Sequence, residues 1–146
     1  MIIKTSFLPF NELSLDSFYE LLALRASVFI VEQRCPYQDL DYKDQNAVHV
    51  LMQEQDRLIA YARILSLEDN MSFGRLLTAP SHRAQGLGKQ LMDQILSYLK
   101  NTHPQKTILI HAQQYLASFY QSYGFQINGE PFNLDGIMHL HMEKRP

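Results

Sequence analysis

A glycine-rich hexapeptide, RAQGLG at residues 83–88, has the composition and position of an anion-binding turn. It follows an apolar run that ends at Leu77, and it precedes a segment in which apolar residues recur at helical spacing as far as Leu99. A turn between a strand and a helix presents several backbone N–H groups and the positive end of the helix dipole to one anion. The hexapeptide therefore predicts a binding site for a phosphate or a pyrophosphate.

The spacing of the two glycines excludes two widespread phosphate-binding patterns. A Walker loop needs four residues between its glycines and then Lys with Ser or Thr, whereas a single residue separates Gly86 from Gly88. The dinucleotide-binding fingerprint needs a further glycine at its start. Two interpretations stay open on these residues alone: an anion-binding loop, or a helix-capping turn without a ligand.

Two motifs taken together resemble the GCN5-related N-acetyltransferase (GNAT) superfamily. Residues 83–88 are similar to its pyrophosphate-binding loop, which reads Arg or Gln, two residues, Gly, one residue, and then Gly or Ala. The sequence FYQSYGF at residues 119–125 is similar to its last helix, where three residues separate a tyrosine from a Gly-Phe pair. The two motifs in this order are far more specific than either one alone.

The resemblance covers nearly the whole chain and implies the GNAT acyl-CoA N-acyltransferase fold, an α/β (α+β) arrangement with a mixed central sheet and helices on both faces. The chain departs from the pattern at Gln113, where many members carry Asn. It also departs at Leu134 and Met138, where an acidic residue and a proline are common. Three longer stretches resemble the ElaA-like subgroup of the superfamily, namely residues 24–50, 112–125 and 135–139.

Apolar periodicity predicts the helices and strands that must position these motifs. Long helices interspersed with strands favour a mixed sheet covered by helices. Three helices are predicted, at residues 15–29, 87–100 and 115–123. Seven strands are predicted, at residues 2–7, 48–53, 58–65, 72–78, 107–112, 125–128 and 137–142.

Residues 31–47 form a long segment without periodicity between the first helix and the second strand. A segment of this length in a compact domain is more often functional than filler. Its carboxylates could attract a cationic amine or orient a water molecule, which makes the segment a candidate substrate wall; the alternative is that they are simply solvated. The acidic residues concerned are Glu32, Asp39, Asp41 and Asp44.

Composition narrows the class of protein further. A chain of 146 residues, 46% of them hydrophobic, is long enough for one domain with its own core, which we assign to residues 1–146. A net charge of −2 argues against broad nucleic-acid binding, and no apolar run is long enough to span a membrane. The single cysteine and an N-terminus unlike a signal peptide favour a cytoplasmic protein. The expected partner is a small molecule or a short peptide, and a homodimer stays open.

The resemblance implies acetyl-CoA as the cosubstrate. In such proteins the loop holds the pyrophosphate, and the fourth strand runs beside the pantetheine and diverges from the fifth. A free backbone N–H near Leu77 would then polarise the thioester carbonyl. Carried over to this sequence, the cofactor-binding residues are Leu76, Leu77, Thr78, Arg83, Ala84, Gln85, Gly86, Leu87, Gly88 and Gln113.

Acyl transfer needs a group that removes a proton from the amine and a group that protonates the departing thiolate. The resemblance makes Tyr120 the general acid, because it occupies the position of the family's tyrosine. Glu32 and His49 are the candidates for the base, because both lie in a stretch that resembles the subgroup.

Other side chains offer alternatives for this chemistry. His111, His139 and His141 can titrate near neutral pH, but a structural role is the default for each. His139 and His141 share a strand face, but without a clear third ligand they do not predict a metal site. Cys35 could accept the acetyl group as a thiolate, although direct attack by the amine is favoured.

The sequence thus predicts an N-acetyltransferase that passes the acetyl group of acetyl-CoA directly to a primary amine. The alternative is a non-catalytic acyl-CoA-binding sensor or interaction module that retains the loop. The residues identify no particular acceptor, because acceptor contacts come from the loops that are hardest to interpret.

Overall fold

An eight-stranded mixed sheet forms the centre of the molecule, and the computed structural model describes residues 2–146. The strands follow one another across the sheet in the order β1, β2, β3, β4, β5, β8, β6, and β7 also pairs with β8. Their bounds are β1 Ile3–Pro9, β2 Val48–Glu54, β3 Arg57–Ser66, β4 Met71–Thr78, β5 Ile108–Gln113, β6 Gln126–Ile127, β7 Phe132–Leu134 and β8 Ile137–Lys144.

Three α-helices accompany the sheet: α1 (Leu15–Arg25), α2 (Leu87–Thr102) and the short α3 (Ala117–Gln121). Ser14 caps α1, since its hydroxyl accepts a hydrogen bond from the N–H of Ser17 at 3.0 Å. A π-helical segment, Ala26–Glu32, continues α1. The predicted helix end at residue 29 is therefore three residues too early, because apolar periodicity does not reveal a change in helix type.

The helices cover both faces of the sheet, as predicted. On one face, α2 buries Leu91, Met92 and Ile95 in a core that includes Phe73 of β4 and Ile110 of β5. On the other face, α1 and the π-helical segment bury Leu21 and Val28 in a second cluster with residues of β2, β3 and β4, namely Leu51, Leu58, Tyr61 and Leu77. The sheet is thus the middle layer between two apolar clusters.

Strand pairing on the two sides of β4 is very different. β3 and β4 pair along most of their length, with a bulge in which Arg75 and Leu76 lie opposite Ala62. Arg75 has a positive φ of 51°, which a bulge in one strand accommodates. By contrast, β4 and β5 are joined at the single pair Met71 with Ile108. The two strands diverge beyond this pair, which confirms the divergence implied by the family resemblance.

The end of the chain contains one strand that the sequence did not predict. Residues 132–134 form β7, which pairs with β8 through a two-residue Asp135-Gly136 turn with φ values of 54° and 84°. Three residues are too few to show periodicity, although the Asp-Gly pair is a hairpin signal. Within residues 2–146, no helix is both long and apolar enough to cross a membrane.

Candidate active site

The N-terminus of α2 follows the glycine-rich loop and has no capping side chain. Gly86, at the N-cap position, has a φ of 75°, and the first turn of α2 contains no acidic residue. A Cβ atom built on Gly86 or Gly88 would meet no atom within 4 Å, so the space beside both glycines is open. The first N–H groups of an α-helix lack partners within the helix, and here they stay available to an anion. The loop therefore fits a pyrophosphate group.

The gap between β4 and β5 begins after Met71 and extends to the end of β4, from which the chain continues into this loop. Leu77 is buried against α1, while Leu76 packs against the core on the α2 face. The side chains of both residues thus belong to the core, and the backbone of β4 between Leu76 and Thr78 has no strand partner on its β5 side. This edge has the backbone groups that an added extended chain, such as pantetheine, would pair with.

Tyr120 of α3 is 7% exposed and lies among aromatic rings. Its ring centroid is 5.2 Å from that of Phe119, 6.1 Å from Phe125 and 6.4 Å from Phe73 of β4. Burial, with a smaller effect of Tyr115, raises the pKa of the Tyr120 phenol to about 12. The phenol is therefore protonated at neutral pH and can act as a proton donor.

Gln113, the last residue of β5, is held by the segment that follows the π-helix. Its Nε2 donates a hydrogen bond to Oε1 of Gln33 at 3.3 Å. Two residues further along this segment, the buried Cys35 donates its S–H to the carbonyl oxygen of Asp135 at 2.9 Å. The segment thus lies across the ends of β5 and β8, and the thiol of Cys35 is engaged in holding it there.

Glu32, a predicted candidate for the base, instead forms a bidentate ion pair with Arg83 of the glycine-rich loop. The two Glu32 oxygens accept hydrogen bonds from Nη1 and Nη2 of Arg83 at 2.9 and 2.6 Å. These bonds lower the pKa of Glu32, which makes its carboxylate a weaker proton acceptor. The structure therefore argues against Glu32 as the base. Glu32 also engages the Arg83 guanidinium, which was expected to contact the pyrophosphate.

His49, the other predicted base, lies in the protein interior and is 0% exposed. Its Nε2 donates to the carbonyl oxygen of Asp44 at 2.9 Å, and its Nδ1 accepts from the hydroxyl of Tyr61 at 2.6 Å. Burial lowers the pKa of the imidazole. The structure therefore argues against His49 as the base, because both ring nitrogens are already engaged in hydrogen bonds in the protein interior.

The aspartates of residues 33–47 are not free to line a substrate site. Each pairs with an arginine from another part of the chain: the Nε of Arg25 lies 3.1 Å from Oδ2 of Asp39, and its Nη1 lies 2.7 Å from Oδ1 of Asp44. Burial alone would raise the pKa of Asp44, but the hydrogen bond and charge of Arg25 lower it. The charged residues form one balanced cluster: Arg25, Arg63, Arg75, Asp39, Asp41 and Asp44.

This charge cluster fastens residues 33–47 to the bulge in β4. Arg75, the bulged residue, places its Nε 2.7 Å from Oδ1 of Asp39 and donates from Nη2 to the carbonyl oxygen of Asp39 at 3.1 Å. Its guanidinium also lies 5.4 Å from the ring centroid of Tyr37. The expectation of a substrate wall is therefore corrected: these carboxylates neutralise buried arginines and hold the strand beside the gap.

Sequence reasoning did not identify the arginines of this cluster, although each had a signal. Arg25 recurs with the apolar residues of the first helix, and Arg63 interrupts an otherwise apolar strand. Arg75 follows Gly74, and a glycine within a strand often marks a bulge. Buried cations need partners, and the nearby aspartates were the available carboxylates.

The chain matches the family model described as acetyltransferase (GNAT) domain over residues 17–146. It is 39% identical to the protein ElaA of Escherichia coli, an alignment that covers 98% of this chain and 97% of the relative. It is also 36% identical to a UPF0039 protein of Synechocystis, over 97% of this chain and 95% of that protein.

Solved structures agree with the sequence relationships. The crystal structure of E. coli ElaA superposes with a TM-score of 0.92 at 38% identity, covering 99% of this chain and all of that one. An acyl-CoA N-acyltransferase from Pseudomonas aeruginosa also gives a TM-score of 0.92, at 32% identity over 98% of this chain and 99% of that one. The chain belongs to the acetyltransferase (GNAT) domain family, and proteins of the ElaA type are among its relatives.

Proposed function

We propose that the chain is an N-acetyltransferase that transfers the acetyl group of acetyl-CoA to a primary amine by direct attack of that amine. The observation that carries the proposal is the divergence of β4 from β5 after the pair at Met71, which leaves the end of β4 without a β5 partner just before the loop that leads to the uncapped N-terminus of α2. The relative from P. aeruginosa is described as an acyl-CoA N-acyltransferase, which supports the same class of reaction.

The loop and the diverging strand would hold the donor. The N–H groups of residues 83–88 and of the first turn of α2 would bind the pyrophosphate, and the backbone between Leu76 and Thr78 would pair with the pantetheine. The amide of Gln113 lies at the far side of the gap and can donate to the same chain. Acetyl-CoA itself supplies a thioester that is reactive toward amines.

Two groups of this chain would then lower the barrier for acyl transfer. A backbone N–H near Leu77 donates to the carbonyl oxygen as negative charge develops on it. Tyr120 donates its phenolic proton to the departing sulfur, while the nitrogen–carbon bond forms and the carbon–sulfur bond breaks. A phenol pKa of about 12 makes this proton transfer to a thiolate unfavourable in water. A thiolate in the same buried site is also destabilised, which raises the pKa of its thiol and narrows the difference between the two pKa values.

The acceptor is proposed to be a small-molecule or peptide amine, and the reaction is proposed to take place in the cytoplasm, where a single unpaired cysteine stays reduced. The alternative function is a non-catalytic acyl-CoA sensor. One observation favours it: Glu32 and His49, the two bases predicted from the sequence, both have their proton-accepting atoms engaged.

Calorimetry with acetyl-CoA, followed by assays of thiol release, separates these functions. The amine panel contains a polyamine, an amino acid, an aminoglycoside and a peptide with a free N-terminus. We expect Tyr120→Phe to lower kcat at least about tenfold, within the range known for general acids, with coenzyme A affinity changed less than about twofold. Tyr123→Phe, on the next turn of the chain, is the matched control. Failure to bind acetyl-CoA would refute the acetyltransferase, and binding without turnover of any amine would favour the sensor.

A further inference from the structure

The face of β5 and β8 that points away from α2 carries histidines that the proposed chemistry has not used. In the antiparallel pair formed by these strands, His139 lies opposite Gln113 and His141 lies opposite His111. Leu140 of β8 is buried in the core on the α2 face. Because side chains alternate along a strand, the histidines project to the opposite face, where Gln113 meets the segment after the π-helix.

His139 is held in one tautomer by its own strand. Its Nδ1 lies 2.8 Å from the carbonyl oxygen of Ile137, and since a carbonyl can only accept, Nδ1 carries the proton. The other ring nitrogen, Nε2, therefore has a lone pair, and no residue in the described part of the chain forms a hydrogen bond with it. The ring is 8% exposed and lies beside Phe132 of β7, with 5.9 Å between the ring centroids. The Nδ1 bond and the neighbouring Phe132 ring thus fix the orientation of the imidazole and leave Nε2 without a protein partner among residues 2–146.

The position of His139 relates this nitrogen to the gap between β4 and β5. Gln113 is the last residue of β5, the strand from which β4 diverges, and His139 lies directly across from it. Adjacent strands are about 5 Å apart, so the imidazole is one strand removed from the edge of the gap. The imidazole of His139 therefore lies beside the end of β5, where the bond between Gln33 and Gln113 holds the segment that crosses it.

We propose that His139 is the general base of this acetyltransferase, its Nε2 removing a proton from the acceptor amine either directly or through one water molecule. The inference rests on the proposed function. Protonated amine gives one proton to Nε2 and becomes nucleophilic; its nitrogen forms the bond to the acetyl carbon as the bond to sulfur breaks. The sulfur takes the Tyr120 proton, the second amine proton restores the phenol, and His139 releases its proton to solvent.

Charged and titratable side chains reach this face from β5, from β8 and from the segment of residues 33–47. His111 comes from β5, His141 from β8, and Lys43 from the segment that crosses them. Burial, and then the charges of His141, His139 and Lys43, lower the pKa of His111. Within residues 2–146 none of the ion pairs involves His139. The same range contains no group of three His, Cys, Asp or Glu side chains arranged around a metal site.

The test replaces His139 by asparagine, whose amide can still donate to the Ile137 carbonyl but cannot accept a proton near neutral pH. Thiol release is measured from pH 5.5 to 9 with each amine of the panel that the native protein acetylates. We expect His139→Asn to lower kcat about 100-fold, with the KM for acetyl-CoA changed less than about twofold and the acidic limb of the kcat/KM profile lost. The matched control is His141→Asn, two residues along the same strand face, with kcat within about threefold of native.

The outcomes separate this inference from the function on which it rests. If the native protein acetylates an amine and His139→Asn keeps more than about a third of kcat with its acidic limb intact, the base is another group and only this inference fails. If the native protein acetylates none of the panel, the proposed function and the inference fail together. Long-range 15N NMR of histidine-labelled native protein gives a readout that does not depend on how the variant folds: we expect a protonated Nδ1, and a proton on Nε2 at neutral pH would overturn the proposal.

Discussion

Two polar loops flank the proposed cleft, and they differ in whether their polar groups have partners. In residues 33–47 the aspartates pair with arginines, and Asp39 and Asp44 are buried in those pairs. In residues 83–88 the loop leads into a helix whose first turn has neither a capping side chain nor an acidic residue. The loop with the more charged residues is therefore the one with less capacity left to bind a ligand.

This difference assigns separate roles to the two loops. Removing charges from water is costly, so carboxylates that become buried need cations, and three arginines of this chain supply them. The result is a connection from α1 through Asp39 to the bulge at Arg75, which holds β4 beside the gap. The first backbone N–H groups of a helix have no hydrogen-bond acceptor within the helix, and a bound anion can supply one. The charged loop positions the strand, and the glycine-rich loop is proposed to bind the donor.

Arg25→Met is expected to have the largest effect on this arrangement. Arg25 is fully buried and bonds both Asp39 and Asp44, so its loss leaves buried carboxylates short of a cation. Breaking one side of a buried ion pair costs about 3–5 kcal/mol, and we expect the free energy of unfolding in urea to fall by that amount. Arg145→Met is the control, since Arg145 is exposed and its pair with Glu143 should contribute less than about 1 kcal/mol. Equal losses for the two variants would show that the buried cluster does not hold the loop.

Gly86→Val is the next largest change, and it acts on binding. Valine at the φ of 75° is strained, and its side chain would occupy the open space beside the loop where the pyrophosphate is expected. We expect the affinity for coenzyme A to fall about 100-fold in calorimetry, equivalent to about 2.8 kcal/mol.

Gly129→Val provides the matched control for this loss of affinity. Gly129 also has a positive φ, of 94°, and also has no atom within 4 Å of a Cβ built on it, but it lies in the loop after β6. Both variants should lose a similar amount of stability, and only Gly86→Val should lose affinity. A parallel loss of affinity in both would mean that backbone strain, and not the occupied space, weakens binding.

The sequence predicted the elements around the cleft because their signals are local. Apolar patterns identified all the strands of residues 2–146 except β7, and the glycine-rich turn marked the junction of β4 with α2. Periodicity failed where a segment was too short, as in β7, or where the helix type changed after Arg25. The bounds of α3 were too wide for a related reason: residues 114–116 form a turn of 3-10 helix, whose apolar spacing differs little from that of an α-helix.

The candidate site was harder to predict, because its decisive contacts join residues far apart in the chain. Fourteen positions separate Arg25 from Asp39, and thirty-six separate Arg75 from Asp39. A sequence shows that carboxylates are present, but it does not show whether they are already paired. The sequence therefore predicted a base at Glu32 and a substrate wall at the aspartates, whereas arginines engage these carboxylates in the structure. For the same reason the sequence did not show which histidine has a free ring nitrogen. The structure shows two engaged nitrogens in His49, the histidine predicted as a base, and a single engaged nitrogen in His139.

Glu32→Gln should have the smallest effect, and it tests the one contact that joins the two regions. Glu32 engages both terminal nitrogens of Arg83, and both side chains are nearly half exposed, so their pairing should be sensitive to salt. Releasing Arg83 lets its guanidinium turn to a bound pyrophosphate, since Arg bonds phosphates and carboxylates in the same bidentate way. We therefore expect Glu32→Gln to bind coenzyme A about two- to fivefold more tightly than the native protein at low ionic strength. The gain should disappear near 1 M salt, where the Debye screening length is about 3 Å.

Glu12→Gln removes the same charge from an exposed position in another part of the chain, and so measures the effect of net charge alone. An equal gain in both variants would assign the effect to net charge. Weaker binding in Glu32→Gln would show that Glu32 orients Arg83 for the ligand. Glu32 would then contribute to ligand binding through Arg83, and the positioning and binding roles would not be divided between the two regions at this contact.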